Sequence, residues 1–430
     1  MSRKIVSLLL VMLLVLGTLS ACSTEQTPAE KTTKVETKKE EKEDKPEQEE
    51  SKQEESETAK SDDQKTDSES AADGEPIEIG MLAPLTGSNA EYGIGFQIAG
   101  EMAIEEINAA GGINGRPLKI VVADSKGESK ESTALTTQFG ENKNIMAIIG
   151  DFTSGASMAD APIAEEYGIV LLSPTASNPD YAAMSPYAFS IMGRQDGEGP
   201  FFARYILGKK LGAKKVGVIY INSDWGLSSY NALTGTFEEV GLELVSQTNY
   251  VDGESDFSSV VAKVRAGEPD TIVILDQGNV PKILNEVKKS GWTDVTLTSL
   301  GPGASAQLIE LSGDAAENLY ISTPFFFDPA NEKDMLWAEE FQKRSGFSPT
   351  VHPVVAYDSV YLIAESMRAV EGELTREAIR EALQNIDHPG MAGPIRFNES
   401  GDITRQYLIA KVKDGKWALE EGYDYADDQK

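Results

Sequence analysis

Residues 145–172 read IMAIIGDFTSGASMADAPIAEEYGIVLL. Ile145 to Ile149 is a short apolar run that reads as a strand, and Ile169 to Leu172 is a second. Residues 156–167, between them, read as a helix. Upstream, Ile77-Glu78-Ile79-Gly80-Met81-Leu82-Ala83 reads as a buried strand ending at Pro84. A helix over 91–110 follows, with Ile94, Ile98, Met102 and Ile107 on a related face, and Gly111-Gly112 ends it. Leu118 to Val122 is the next strand and 129–141 the next helix. Strand and helix thus alternate four times, which predicts a parallel, doubly wound α/β sheet.

A second series starts after Gly193. Helix 197–211 leads to the strand 216–221, helix 226–240 to the strand 243–250, and helix 256–266 to the strand 271–275. Helix 280–290 precedes a short strand near 295–298. After Thr323-Pro324 the pattern turns helical over 331–345, 353–371 and 375–387, and strands near 394–397, 405–412 and 416–419 close the chain. Two similar α/β halves follow from this, with late helices that need a sheet to cover. The expected division is 77–194 with 323–405 in one lobe and 195–322 with 406–430 in the other. Between them lies a cleft at the carboxyl ends of the strands, where open α/β sheets bind ligands.

The composition narrows the function. The chain has 430 residues, 70 acidic against 39 basic, and a formal charge of −31. Such a field repels phosphate backbones and argues against nucleic acid as a partner. One Cys and two His, His352 and His388, exclude internal disulfides and speak against a Cys/His zinc site, so no metal is expected. There is no G-x-S-x-G elbow and no Walker A loop. Gly93-Ile94-Gly95 with Gly100 lacks dinucleotide spacing, so neither a cofactor nor catalysis is expected.

The first 22 residues read as an address. Arg3 and Lys4 precede the apolar run Ile5 to Leu16, too short to span a bilayer comfortably, and Leu19-Ser20-Ala21-Cys22 resembles a bacterial lipobox. The expectation is cleavage before Cys22 and lipidation of its thiol, which places the protein on the outer face of the cell membrane. Residues 23–76 have no aromatic residue and one large aliphatic, Val35. They cannot bury enough apolar surface to offset their ordering entropy, so a disordered acidic tether with a mean span on the order of 40 Å is expected.

Two hydroxyl clusters stand out as ligand groups. Asp151-Phe152-Thr153-Ser154-Gly155-Ala156-Ser157 follows one strand and opens a helix, where free backbone N–H groups attract anions. Ser173-Pro174-Thr175-Ala176-Ser177 follows the next strand. Side by side they would hold a carboxylate through several charge-assisted hydrogen bonds, each worth about 1.5–3 kcal/mol.

Over residues 77–420 the sequence resembles the leucine/isoleucine/valine-binding family of solute receptors for ABC importers. The marks are Ile79-Gly80 to Pro84-Leu85-Thr86-Gly87, Tyr92-Gly93, Asp124, Ile149-Gly150 through Ser154, and Ser173-Pro174-Thr175. The most specific is Ile107-Asn108-Ala109-Ala110-Gly111-Gly112-Ile113-Asn114-Gly115-Arg116-Pro117-Leu118. The resemblance implies a type I periplasmic-binding-protein fold, two Rossmann-like lobes joined by three hinge crossovers that close on a small solute. It further implies that Ser154 and Thr175, Ala176 and Ser177 hold the ligand carboxylate and part of its amino group. Tyr92, Trp225 and Gln277 would line the pocket, and an ABC permease would be the partner. His352 falls near an apolar pocket position of that family, but a lone His before Pro353 is more often structural.

One departure concerns the ligand. Members that bind amino acids usually place an acid for the ligand ammonium in the loop after the strand near 298. Here that loop reads Ser299-Leu300-Gly301-Pro302-Gly303-Ala304-Ser305. Asp276 could substitute, or the ligand lacks an ammonium. An unpaired buried ammonium is costly, so this choice sets the ligand class: an amino acid, or an organic acid or amide. A signalling partner in place of a permease also stays open.

Overall fold

Both faces of the first sheet are apolar, and each is covered by helices. In this computed structural model, which describes residues 74–420, the chain begins with β1 (Ile77–Ala83), α1 (Ala90–Ala109), β2 (Leu118–Asp124), α2 (Ser129–Glu141), β3 (Ile145–Ile149), α3 (Ser154–Glu166), β4 (Val170–Ser173) and β5 (Ala188–Ser190). The strands pair in parallel in the order β2-β1-β3-β4-β5. Side chains alternate across a strand. Ile79 and Met81 of β1 and Val170 and Leu172 of β4 therefore enter one core with Phe96 of α1, while Leu82, Ile169 and Leu171 enter another with Phe139 of α2 and Ala161 of α3. A sheet covered on both sides produces the uninterrupted apolar runs seen in the sequence. The signal segment, Cys22, the tether up to residue 73 and the end of the expected second lobe, 421–430, lie outside the described residues.

The second series gives α4 (Gln195–Phe201), a π-helical continuation over 202–211, β6 (Lys215–Ile221), α5 (Asp224–Thr234), α6 (Phe237–Val240) and β7 (Glu243–Tyr250). Then come α7 (Ser258–Arg265), β8 (Thr271–Leu275), α8 (Val280–Lys289), β9 (Thr296–Ser299), α9 (Leu308–Ser312) and β10 (Tyr320–Thr323). Helices α10 (Glu332–Ser345), α11 (Val351–Ala369) and α12 (Arg376–Gln384) return to the first sheet, where Phe341, Val354, Val355 and Ile379 share the core of Ile79 and Met81. β11 (Leu408–Lys413) and β12 (Lys416–Leu419) then join the second sheet antiparallel, giving β12-β11-β10-β9-β8-β6-β7.

The chain therefore passes between the sheets three times: after β5, after β10 and before β11. Buried polar side chains tie these passages together. Arg405 in the third donates to Ile191 O in the first at 2.8 and 3.0 Å, and Glu198 of α4 accepts from Ser322 Oγ of β10 at 2.6 Å.

The sequence reading differs in detail. The strand expected near 394–397 is a single bridge, in which Ile395 and His388 exchange backbone hydrogen bonds. The expected helix 226–240 is broken into α5 and α6 around Gly235-Thr236. The short β5, α9 and β10 were not anticipated.

The motif at 107–118 has a local cause. Asn108 Oδ1 accepts from Leu118 N at 2.7 Å, and its Nδ2 donates to Leu118 O at 2.9 Å, so one side chain fastens the helix end to β2. The turn between them needs left-handed backbone at Gly111, Gly112 and Gly115, with φ of 95°, 66° and 83°, which glycine adopts without steric cost.

Candidate ligand-binding cleft

The loops after β3 and β4 meet as expected. Thr153 caps α3, its Oγ1 accepting from Ala156 N at 3.3 Å, so the Ser154 hydroxyl is released from that task. Ser154 Oγ instead accepts from Asn178 N at 3.4 Å, which joins the two loops. Thr175 Oγ1 donates to Phe152 O at 2.8 Å, and Ser173 Oγ donates to Asp151 O at 2.8 Å while accepting from Ala176 N at 2.9 Å. The hydroxyls of Ser173 and Thr175 thus shape the two loops, and the Ser177 hydroxyl is met from the opposite half.

That half reaches across in several places. Trp225, on the first turn of α5, donates its indole N–H to Ser177 Oγ at 3.2 Å. Gln195, at the start of α4, donates through Nε2 to Trp225 O at 2.8 Å. Tyr92 of α1 places its hydroxyl 2.6 Å from Gln277 O and 3.0 Å from Pro302 O. Glu91, beside it, accepts from the N–H groups of Ala306 and Gln307. Tyr92 stacks on Phe152 at 4.3 Å between ring centroids, with the His352 ring edge-on at 4.8 Å.

A cavity of about 180 Å³ lies between the halves. Ser88, Asn89, Gly127, Ser129, Thr153 and Gly155 line it from the first half; Ser223, Asp224, Trp225, Asp252, Asp276, Gln277 and Asn279 are among those lining it from the second. Of the eight candidate ligand residues, Trp225, Asp276 and Gln277 are in its wall. Tyr92, Ser154, Thr175, Ala176 and Ser177 are buried and do not line it. The sequence reading did not pick out Asn89, Asp224 or Asp252. Their only signal was position, since each follows the carboxyl end of a strand.

Asp276 is buried, and burial raises its pKa. Both of its oxygens are engaged: Oδ2 by the Tyr250 hydroxyl and Asn279 Nδ2, Oδ1 by Asn279 N. His352 sits at the second position of α11, just before Pro353, where proline fits the first helical turn. Its Nδ1 is 3.1 Å from Thr350 Oγ1, its Nε2 has no partner, and burial lowers its pKa to about 3, which keeps it neutral. Among the described residues no cluster of His, Cys, Asp and Glu could hold a metal, and no helix is long and apolar enough to cross a membrane.

Two mostly parallel sheets, three connecting passages and a polar cavity between strand ends define a type I solute-binding architecture. The chain belongs to the periplasmic binding protein family, whose sequence model matches residues 76–416. It is similar to the Leu/Ile/Val-binding protein homolog 1 of Brucella suis, 27% identical over 347 residues that cover 79% of this chain and 92% of that protein. It is also similar to the branched-chain amino acid transporter substrate binding protein LivJ of Streptococcus pneumoniae, solved with isoleucine. There the identity is 27% and the TM-score 0.73, covering 80% of this chain and 99% of that one. A solute binding protein of R. palustris solved with benzoate shares the fold, at 20% identity and a TM-score of 0.74, covering 80% and 95%. Proteins of this family bind solutes and are not enzymes.

Proposed function

We propose that this chain is the extracytoplasmic receptor of an ABC importer, anchored by a lipid on Cys22, and that it closes over a small carboxylate-bearing solute. The two lobes are 77–194 with 323–405 and 195–322 with 406–420. Ser154, Thr175, Ala176 and Ser177 hold the carboxylate; Tyr92, Trp225 and Gln277 complete the pocket; Asp276 faces a ligand ammonium. Branched-chain amino acids are the leading ligands, in keeping with the isoleucine bound to LivJ. The observation that carries the reading is the cross-cleft bond from Trp225, in the cavity wall, to Ser177, a proposed ligand residue of the other half.

One observation favours a second ligand class. Tyr250 and Asn279 already satisfy Asp276, and the loop 299–305 offers no acid, so a carboxylate without an ammonium would leave nothing unpaired. A calorimetric comparison of leucine with 4-methylpentanoate separates the two, since they differ by the amino group alone. A ligand raises the melting temperature through binding linkage. Absence of a shift across amino acids, organic acids and amides would overturn the receptor reading. Palmitate labelling that survives Cys22→Ser would overturn the anchor.

A further inference from the structure

The loop that carries Ser154 stands on two buried carboxyl groups. Asp151 opens the loop, Asp160 lies further along α3, and both are fully buried. A single hydroxyl separates them. Ser132 Oγ of α2 is 2.9 Å from Asp151 Oδ2 and 2.5 Å from Asp160 Oδ2. A serine hydroxyl has one hydrogen and can donate to one of these oxygens only. The other contact needs a hydrogen of its own, which only a carboxyl group can bring.

The surroundings decide which carboxyl carries it. Burial raises the Asp151 pKa as well, but the N–H groups of Phe152 and Thr153 and the hydroxyls of Ser125 and Ser132 oppose that rise, four donors that favour an ion. Asp160 has Ser132 at one oxygen, and its Oδ1 has no hydrogen-bond partner. Thr136 of α2, Asp151 of the β3–α3 loop and Tyr181 are the other groups that face it, and no cation is among them. A buried anion so poorly served is costly, and a neutral acid is not.

We infer that Asp160 stands as a neutral carboxylic acid that donates to Ser132, which in turn donates to ionised Asp151, and that this relay makes Asp160 a positioning residue for the Ser154 loop. Burial and the neighbouring Asp151 charge agree, raising the Asp160 pKa to about 8. Above that pH two anions face one hydroxyl, and the loop loses a fixed support. The consequence for ligand rests on the proposed role of Ser154; the proton count does not.

The test uses the full chain and Asp160→Asn, which keeps the shape of the neutral acid. Infrared spectra of the wild type at pH 6.5 are expected to contain a buried carboxylic-acid carbonyl band that fades above pH 8 and is absent from the variant. Amide exchange over 151–157 is expected to match in the two proteins at pH 6.5 and to be several-fold faster in the wild type at pH 9.5. A wild-type spectrum without the band, or equal exchange at both pH values, overturns the inference. Should the variant not fold, the pH titration of the band in the wild type and exchange in Ser132→Ala decide it, with a pH-independent rise expected in the latter. Calorimetry with L-leucine adds the ligand arm. Affinity that falls several-fold from pH 6.5 to 9.5 in the wild type alone supports the relay, and no heat at either pH counts against the amino acid reading while the spectra still judge the relay.

Discussion

Trp225 donates its indole N–H to Ser177 Oγ across the cleft, and Gln195 holds the Trp225 carbonyl from the adjoining passage. The indole is thus gripped at its backbone by one element and directed at a hydroxyl of the opposite half. Trp225→Phe keeps an aromatic ring and removes the donor. A neutral hydrogen bond contributes about 0.5–1.5 kcal/mol, so ligand affinity is expected to fall roughly 2- to 12-fold by calorimetry, with little change in melting temperature without ligand. An unchanged affinity would remove Trp225 from the pocket.

Two glycines in the first turns of α1 should respond in opposite directions to alanine. A Cβ on Gly93 would lie 2.1 Å from Pro84 O, so the helix packs directly on the loop backbone there. Gly93→Ala is expected to cost about 1–3 kcal/mol or more by urea unfolding. A Cβ on Gly95 meets nothing nearer than Pro353 Cβ at 3.7 Å, ordinary contact distance. Gly95→Ala should be neutral or stabilise by up to about 1 kcal/mol, because alanine restricts the unfolded chain and favours helix.

Arg405 fills a buried space where the first and third passages meet, bonding Ile191 O twice and Ala392 O at 2.6 Å. Arg405→Met keeps most of the volume and leaves those carbonyls without a donor. A loss of about 2–4 kcal/mol is expected, read as a lower urea midpoint at an unchanged slope.

His352 gives the stability a pH dependence of known sign. Burial depresses its folded-state pKa to about 3, against about 6.5 when unfolded. Between these values the unfolded chain binds the extra proton, so stability falls as pH drops from about 6.5 toward 3, by at most about 1.4 kcal/mol per unit. His352→Phe should remove that share of the acid sensitivity. Urea midpoints at pH 7 and 4.5 check it, and equal acid losses in both proteins would contradict a neutral buried imidazole.

Much of this fold was legible because its signals are long. The strands 243–250 and 271–275 and the helix 129–141 match β7, β8 and α2 residue for residue, since apolar periodicity needs several residues to be seen. β5 and β10 have three and four residues, too few to show a period, and their pairing partners define them. Ile395 at 0% exposure looks like strand core from its sequence neighbours, yet one bridge to His388 is all its surroundings permit. Of the two hydroxyl clusters read from the sequence, 151–157 supplies Thr153 and Gly155 to the cavity wall, while 173–177 lies outside the wall. The cleft was not legible where a wall is assembled from single residues such as Asn89, Asp224 and Asp252, each alone at the end of a different element.

Three separate backbone connections leave little freedom to the two sheets. A door on one pin can twist and a tray on none can slide, but three short pins side by side allow only a swing about the line that joins them. Any solute must then come and go by the edge farthest from Ile191, Ser322 and Arg405, and a mutation near those residues would change how far the door travels without touching what it encloses.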